Sequence, residues 1–422
     1  MVTPSIDLRP LHAPVGPRRV EMASECVERL VVVIVGVERP KVDSSRVLSV
    51  HALILSTESC RDHYRARMAE LMTAYRLVEW GHSPELTYVP IPVPGEDEAL
   101  VAVAGNGLCH SDLTMMSMPG EVGSALGWHM PFTLGHEIGG TIVSFGPLSA
   151  TASAEQFTVG QAVVLVSANS CGQCADCNRG METLCSSATT GRGYGRDGGL
   201  AEFVVAPVRD LVAIGHVDPG RAGPLTDAAA TSHHAVARVA KYLQSADSSV
   251  AVLGAGGLGI FACQILAALT PARILVVDRD PVRRSLAQER GAHQVLDGID
   301  RSTAKALREA SDGGVDVVID VIGTDDSIIA GMRSMRGGGS FALVGSEGGL
   351  LPKSWFSNFP QEAEIFTFQG STRRDVAAVA ALLGQGAVEL DVEVAALSEV
   401  TAAYERLGAG SLTGRIVVQP GR

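Results

Sequence analysis

Two short stretches, Cys109-His110-Ser111-Asp112 and Gly135-His136-Glu137, put a thiol, two imidazoles, a hydroxyl and two carboxylates close together in the chain. Cysteine and histidine are ligand types for zinc, and a zinc site that does chemistry needs a third protein ligand and one open position. Asp227, in Pro224-Leu225-Thr226-Asp227, is the first choice for that ligand. Glu137 beside His136 is its rival, and Asp227 also stands where a cap would stand for a helix starting at Ala228. Alone, Cys109 reads as a buried thiol and His136 as a core histidine. The motifs around them reverse that balance.

Cys171-x2-Cys174-x2-Cys177-x7-Cys185 offers four thiols on one loop. Thiolates are soft ligands, and such short spacings close around one tetrahedral ion. Four thiolates leave no open position, so zinc here is structural. An iron–sulfur centre or a redox dithiol is the weaker alternative.

Gly254-Ala255-Gly256-Gly257-Leu258-Gly259 matches G-x-G-x-x-G. The motif is weak by itself, but here it follows an apolar run, Ser249 to Leu253, and opens a helical stretch, the context that makes it a dinucleotide site. The first glycine permits the turn, the second lets backbone approach a pyrophosphate, and the third lets helix pack on strand. The helix N-terminus favours the phosphate charge. Asp278 ends the next apolar run, where a carboxylate accepts hydrogen bonds from ribose hydroxyls and repels a 2′-phosphate, so NAD is expected over NADP. Arg279 next to it pulls the other way. A structural glycine turn without a ligand is the bland alternative.

The elements that must position these groups change character along the chain. Residues 1–71 carry Pro4, Pro10, Pro14 and Pro17, which break regular structure. Short strands over 30–37 and 47–55 lack a pairing signal. The segment reads as an N-terminal extension, disordered or not native to the functional fold. From Met72 the pattern is orderly: Thr73 to Trp80, Leu86 to Pro90 and Leu100 to Ala104 read as strands, and 96–215 as strands and loops. After Pro224 short apolar strands alternate with helices, which implies a parallel sheet. Expected strands are Ser249 to Leu253, Ile274 to Asp278, Val315 to Ile319, Ser340 to Val344 and Glu364 to Gln369. Expected helices are Ala228 to Leu243, Gly259 to Ala268, Ser285 to Arg290 and Ile328 to Met335. Two helices, Asp375 to Leu383 and Val400 to Leu407, and a strand ending at Val418 close the chain.

Composition narrows the function. A net charge of −12 leaves nothing to offset repulsion from phosphates, so a nucleic-acid surface is not expected. The apolar run Leu30 to Val37 is too short to span a bilayer, and glutamates just upstream make it a poor signal peptide. A cytoplasmic protein is expected. A cysteine cluster in a reducing compartment points to metal rather than disulfides.

Together these residues resemble the zinc-dependent medium-chain dehydrogenase/reductase family, the zinc alcohol dehydrogenases. The resemblance covers residues 72–422. Gly135-His136-Glu137-x2-Gly140-x5-Gly146 is similar to the family's zinc signature, and the four-cysteine loop to its structural zinc lobe. The resemblance implies an α/β protein: a GroES-like β-rich catalytic domain over 72–222, a Rossmann domain with a doubly wound parallel sheet over 223–371, and a C-terminal return to the catalytic domain over 372–422. It implies one catalytic and one structural zinc, NAD, and a homodimer or homotetramer.

By the same resemblance Cys109 and His136 are catalytic zinc ligands. Asp227 holds the third position, as in bacterial secondary-alcohol dehydrogenases with an aspartate ligand, and Glu137 is an adjacent or transient ligand. Ser111 takes the alcohol proton. Thr231 packs on nicotinamide, His110 and Arg415 lie near the pyrophosphate, and Val344-Gly345 meets the carboxamide. Two positions depart from the pattern: Thr114 replaces a relay histidine found in some relatives, and Gly160-Gln161, after a long Ser149 to Phe157 loop, replaces Gly-Asp. Trp128 either lines the pocket or is a packed loop aromatic. The implied reaction is hydride transfer between a secondary or primary alcohol and NAD, giving ketone or aldehyde. A polyol or sugar-alcohol dehydrogenase is the same-class alternative, and a non-catalytic dinucleotide-binding protein the alternative from another class. Turnover of any alcohol separates the last from the others.

Overall fold

Ser249–Leu253 has no polar face, and it lies at the centre of a six-stranded, all-parallel sheet with every residue buried. Its side chains meet helices on both sides, as a continuous apolar strand requires. In space the strands run Gln294–Asp297, Arg273–Asp278, Ser249–Leu253, Val315–Asp320, Met335–Leu343 and Glu364–Thr367. The order reverses between Ser249–Leu253 and Val315–Asp320, so a crevice opens at the carboxyl ends of those two strands. Gly254 begins there, with φ +95°.

The computed structural model describes residues 70–149, 156–168, 170–187, 190–352, 354–367 and 369–422. The expectations for residues 1–71, apart from the last two residues, and for most of the Ser149 to Phe157 loop lie outside the described residues. Met72–Arg422 forms one compact unit. Among the described residues no helix is long and apolar enough to cross a membrane.

A second, largely antiparallel sheet is built on Glu98–Gly107. It pairs with Glu137–Phe145, with Phe203–Pro207 and, by Val417 opposite Gly107, with the last strand, Arg415–Gln419. Val392–Ala396 lies parallel to that last strand. The chain therefore leaves this sheet, builds the parallel sheet, and returns to close the first. Its core is a set of small and branched side chains, among them Val101, Ile138, Val163 and Leu165, each fully or almost fully buried. Each such side chain contributes about 1.5–3 kcal/mol on burial.

Several elements differ from expectation. Two short helices, His110–Met116 and Gly120–Ala125, interrupt the stretch read as strands and loops. The first is closed at its N-terminus by Asp112, whose Oδ2 accepts from the Cys109 backbone N–H at 3.0 Å. In the second, Gly120 and Gly123 give the Trp80 ring room to lie against the helix. The sequence reads as a strand from Gly198 to Val205, but the strand is Phe203–Pro207; before it, Ala201 makes an isolated bridge to Ala74. The helices Pro281–Glu289 and Asp325–Ser334 start earlier, each at a side-chain cap: Asp280 accepts from Val282 N–H at 2.8 Å, and Thr324 from Ser327 N–H at 3.2 Å. The strands Gln294–Asp297 and Val392–Ala396 and the helix Thr303–Ala310 were not anticipated.

The helix Ala228–Val239 carries Asp227 at its entrance and is fixed from the far side. Asp375 Oδ1 and Oδ2 lie 2.7 and 2.9 Å from Nδ1 of His233 and His234, and Thr372 donates to the same carboxylate at 2.6 Å. Although burial opposes its charge, these partners hold the Asp375 carboxyl well below the usual range.

The glycines of the Gly254 turn have separable duties. A Cβ at Gly259 would overlap the Gly254 carbonyl, whereas one at Gly256 would meet only an Arg283 guanidinium nitrogen, at 4.0 Å. Gly259→Ala is expected to destabilise the protein by about 1–3 kcal/mol, as overpacking does. Gly256→Ala is expected to stay within about 0.5 kcal/mol of wild type. Thermal unfolding of the two variants side by side checks this; equal losses would contradict it.

Candidate metal and cofactor site

Three separate chain segments bring Cys109, His136 with Glu137, and Asp227 together, with one donor atom from each residue lying within 4.8 Å of the others. Cys109 ends the approach from Glu98–Gly107 and begins the helix His110–Met116. His136 stands just before Glu137–Phe145, preceded by Gly135 at φ +93°. A Cβ on residue 135 would lie 2.6 Å from the buried Asn106 amide, so only glycine fits before this histidine. Ser167 donates to the His136 carbonyl at 2.8 Å.

Asp227 precedes Ala228–Val239 but makes no side-chain cap. Its Oδ2 is 3.3 Å from Cys109 Sγ and 3.6 Å from His136 Nε2, while Oδ1 accepts from Thr231 at 3.2 Å. The helix-cap reading is thereby excluded. Burial works against its charge, yet the His136 ring and Arg415 hold the carboxyl below the usual range.

Glu137 is fully buried and turned differently. Its Oε1 is paired with the Arg415 guanidinium, and its Oε2 has no partner. Burial pushes its carboxyl up against the pull of Arg415. Arg415 thus stands behind the metal-type cluster; its stem also passes over Gly257, where a Cβ would lie 2.6 Å from Arg415 Cδ. Arg415 and Arg283 both act electrostatically on His110, an exposed residue.

Asp112, expected from the sequence to be only a structural hydrogen-bonding group, lies with Oδ1 3.0 Å from His136 Nδ1. Its Oδ2 takes the Cys109 N–H and a bond from the Tyr404 hydroxyl at 2.9 Å. A carboxylate behind a ligating histidine fixes which ring nitrogen faces the metal. Tyr404 comes from the helix Val400–Gly408, in the returning tail.

Ser111 Oγ lies 2.9 Å from the hydroxyl of Tyr194, which is 3.1 Å from His136 Nε2. Sequence reasoning passed over Tyr194. The glycines on both sides of it, in Gly191-Arg192-Gly193-Tyr194-Gly195, were the available signal. Trp128 is buried and packs against Phe132 and Tyr194, with centroids 6.2 Å apart in each case. Tyr194 therefore stands between Trp128 and His136. Thr114 is exposed, and Gln161 serves a turn by accepting from Thr158 N–H.

The four-cysteine loop has the sulfur spacing of a tetrahedral site. Cys171 and Cys177 Sγ are 3.9 Å apart, as are Cys174 and Cys185 Sγ. Zinc–sulfur bonds of about 2.3 Å at tetrahedral angles give about 3.8 Å, far from a disulfide. Backbone N–H groups of Gln173 and Cys174 pull the Cys171 thiol down to about 6. The second cluster also fits zinc, with a thiol, an imidazole and a carboxylate converging and a buried, unpartnered Glu137 oxygen beside them.

At the glycine turn, Asp278 is buried at the end of Arg273–Asp278. Its Oδ2 accepts from Ala255 N–H at 2.7 Å and Oδ1 from Asp280 N–H at 2.8 Å. Each oxygen retains a lone pair that a ribose hydroxyl can use. Arg279 is exposed beside it. Gly256 caps Gly257–Leu269, and Leu258 lies in its first turn. Val344 and Gly345 both donate to the Asp320 carbonyl at 2.9 Å, which places them at the mouth of the same crevice. Arg283, also overlooked, bonds the Gly410 and Leu412 carbonyls at 2.8 and 2.7 Å.

Residues 95–216 match the alcohol dehydrogenase GroES-like domain, and residues 257–385 the zinc-binding dehydrogenase domain. The chain is 31% identical over 287 residues to an NAD-dependent alcohol dehydrogenase of Sulfurisphaera tokodaii, covering 66% of this chain and 80% of that one. It is 28% identical over 336 residues to a D-arabinose 1-dehydrogenase (NADP(+)) of Saccharolobus solfataricus, covering 79% and 93%. The crystal structure of the alcohol dehydrogenase of Aeropyrum pernix superposes with a TM-score of 0.75 at 29% identity, over 82% of this chain and all of that one. With both zinc-type clusters and the dinucleotide turn in place on this fold, the chain belongs to the zinc-dependent medium-chain dehydrogenases and is an oxidoreductase of that family.

Proposed function

We propose that the protein is an NAD-dependent zinc alcohol dehydrogenase acting on secondary or primary alcohols, with Cys109, His136 and Asp227 holding the catalytic zinc. The observation that carries this reading is the convergence of Cys109 Sγ, His136 Nε2 and Asp227 Oδ2 beside the Ser111 hydroxyl and the crevice of the parallel sheet. Glu137 is not the third ligand here. Its carboxylate answers Arg415, and it supports the cluster from behind.

Zinc in this position supplies Lewis acidity that makes an alcohol hydroxyl a stronger acid. The nicotinamide supplies the hydride acceptor. The chain's own residues do the rest. Ser111 Oγ takes the hydroxyl proton and passes its own outward. With Thr114 exposed, that proton leaves by cofactor ribose and water rather than a histidine. Asp112 orients His136, and Thr231 holds Asp227. Asp278 favours NAD by repelling a 2′-phosphate, and its two backbone bonds tie that choice to the shape of the glycine turn. Arg415 and His110 face the pyrophosphate region. Cys171, Cys174, Cys177 and Cys185 bind a structural zinc.

The same reading places the protein in the cytoplasm as a homodimer or homotetramer. Glu364–Thr367 ends the parallel sheet with one edge unpaired among the described residues, a place for a second copy. The aromatic wall of Trp128, Phe132 and Tyr194 favours simple alcohols over polyols.

Metal analysis is expected to give two zinc ions per chain. Asp227→Ala is expected to lose one and keep its fold, while Glu137→Gln retains both; the reverse pattern would make Glu137 the ligand. Asp112 and Asp227, against the effect of burial, raise the His136 pKa well above its usual value. Protons therefore compete with the ion at low pH, and zinc uptake by stripped protein is expected to strengthen as pH rises. A flat dependence would contradict a histidine ligand.

An alcohol panel followed by nicotinamide absorbance is expected to show turnover with NAD preferred over NADP. Ser111→Ala should lower kcat/KM by roughly 10²- to 10⁴-fold, the scale of general acid–base catalysis. No turnover of any alcohol, ketone or aldehyde would remove the enzyme reading.

A further inference from the structure

Tyr194 reaches the reaction centre from a loop with no part in the sequence motifs. Its hydroxyl is 2.9 Å from Ser111 Oγ and 3.1 Å from His136 Nε2, and the two rings lie 4.7 Å apart. A nitrogen that ligates a metal has no lone pair left for a hydrogen bond. With His136 Nε2 committed to that role, the hydroxyl keeps Ser111 as its partner.

A serine hydroxyl carries one proton and two acceptor sites. To accept a substrate proton at one site while donating its own proton outward, Ser111 has one site left. A donor there removes the freedom of the hydroxyl to rotate away. A neutral phenol is such a donor.

The loop is built to hold the ring still. Gly193 and Gly195 have φ of +74° and +76°. A Cβ at 193 would lie 2.9 Å from the Gly135 backbone, and one at 195 would lie 2.5 Å from Trp128 Cγ. The turn is therefore pressed against the residue that precedes His136. Trp128 closes the other side of the ring, at 6.2 Å between centroids. Positive-φ glycines at such close approaches are a backbone cost with no local return; what they achieve is the placement of this one hydroxyl.

We infer that Tyr194 is a positioning residue of the proton path, its hydroxyl donating to Ser111 Oγ and acting on the proton transfer only through it. The inference rests on the reading of Ser111 as the hydroxyl that takes the substrate proton.

A double-mutant cycle on the zinc-loaded enzyme tests it, using wild type, Tyr194→Phe, Ser111→Ala and the double variant with NAD and the best alcohol of the panel. Tyr194→Phe is expected to lower kcat roughly three- to tenfold, the effect of one ordinary hydrogen bond, with KM, zinc content and thermal midpoint unchanged. In the Ser111→Ala background the same change is expected to alter kcat less than about twofold, because the route it acts through is gone. Losses that multiply in the double variant would overturn the inference. So would an unchanged kcat in Tyr194→Phe, a change confined to KM, or loss of zinc. If Ser111→Ala alone leaves kcat intact, the underlying proton path fails as well; this is distinct from an active Ser111 with an inert Tyr194.

Discussion

The structure depends on how a buried cluster of acids is neutralised. Cys109, Asp112 and Glu137 are buried and Asp227 is largely so, all within one small region. Taking charges out of water is expensive unless each meets a partner. Arg415 meets Glu137, His136 lies between Asp112 and Asp227, and Tyr404 and the Cys109 N–H satisfy Asp112. What remains is a thiol and a carboxylate facing the same point, and a divalent cation completes the balance. Two of the compensating groups, Tyr404 and Arg415, come from the end of the chain. That is a physical reason for the tail to return: without Val400–Gly408 and Arg415–Gln419, Glu137 would lose its guanidinium and Asp112 its phenol. The tail also touches the other site, since the Arg415 stem packs over Gly257 and Arg283 holds the carbonyls of Gly410 and Leu412.

Much of this was legible in the sequence where function is written in local spacing. The Gly254 turn needs only its strand, its helix and its glycines, all within one short stretch. The four cysteines lie on one loop, so their closure around a point follows from spacing. Asp227 could be named as a ligand candidate but not separated from a helix cap, because both uses place an acid just before an apolar helix. The separation is geometric: its side chain turns toward Cys109 and His136 instead of the helix N–H groups. The distant partners of Asp112, and the roles of Tyr194, Tyr404 and Arg283, were unreadable for a related reason. Each works through a partner dozens to hundreds of residues away, and no periodicity encodes such a pairing. The helix His110–Met116 escaped notice because it is short and is started by Asp112, whose own importance was hidden.

Asp278 shows how a residue proposed for one task by its motif can carry a second one in the fold. As a ribose acceptor it would be a side chain at the rim of a preformed crevice. In the structure it is buried and is part of what forms the crevice: Oδ2 holds the N–H of Ala255, inside the glycine turn, and Oδ1 holds the N–H of Asp280, which in turn caps Pro281–Glu289. The carboxylate therefore joins the first turn of the parallel sheet to the second. A substitution of Asp278 loosens two backbone bonds, so the preference proposed for this position is linked to stability. A neutral isostere could keep only part of the arrangement, since an amide offers one acceptor oxygen where two backbone donors now converge. The carboxylate proposed to repel a 2′-phosphate is thus also the group that holds the glycine turn in shape.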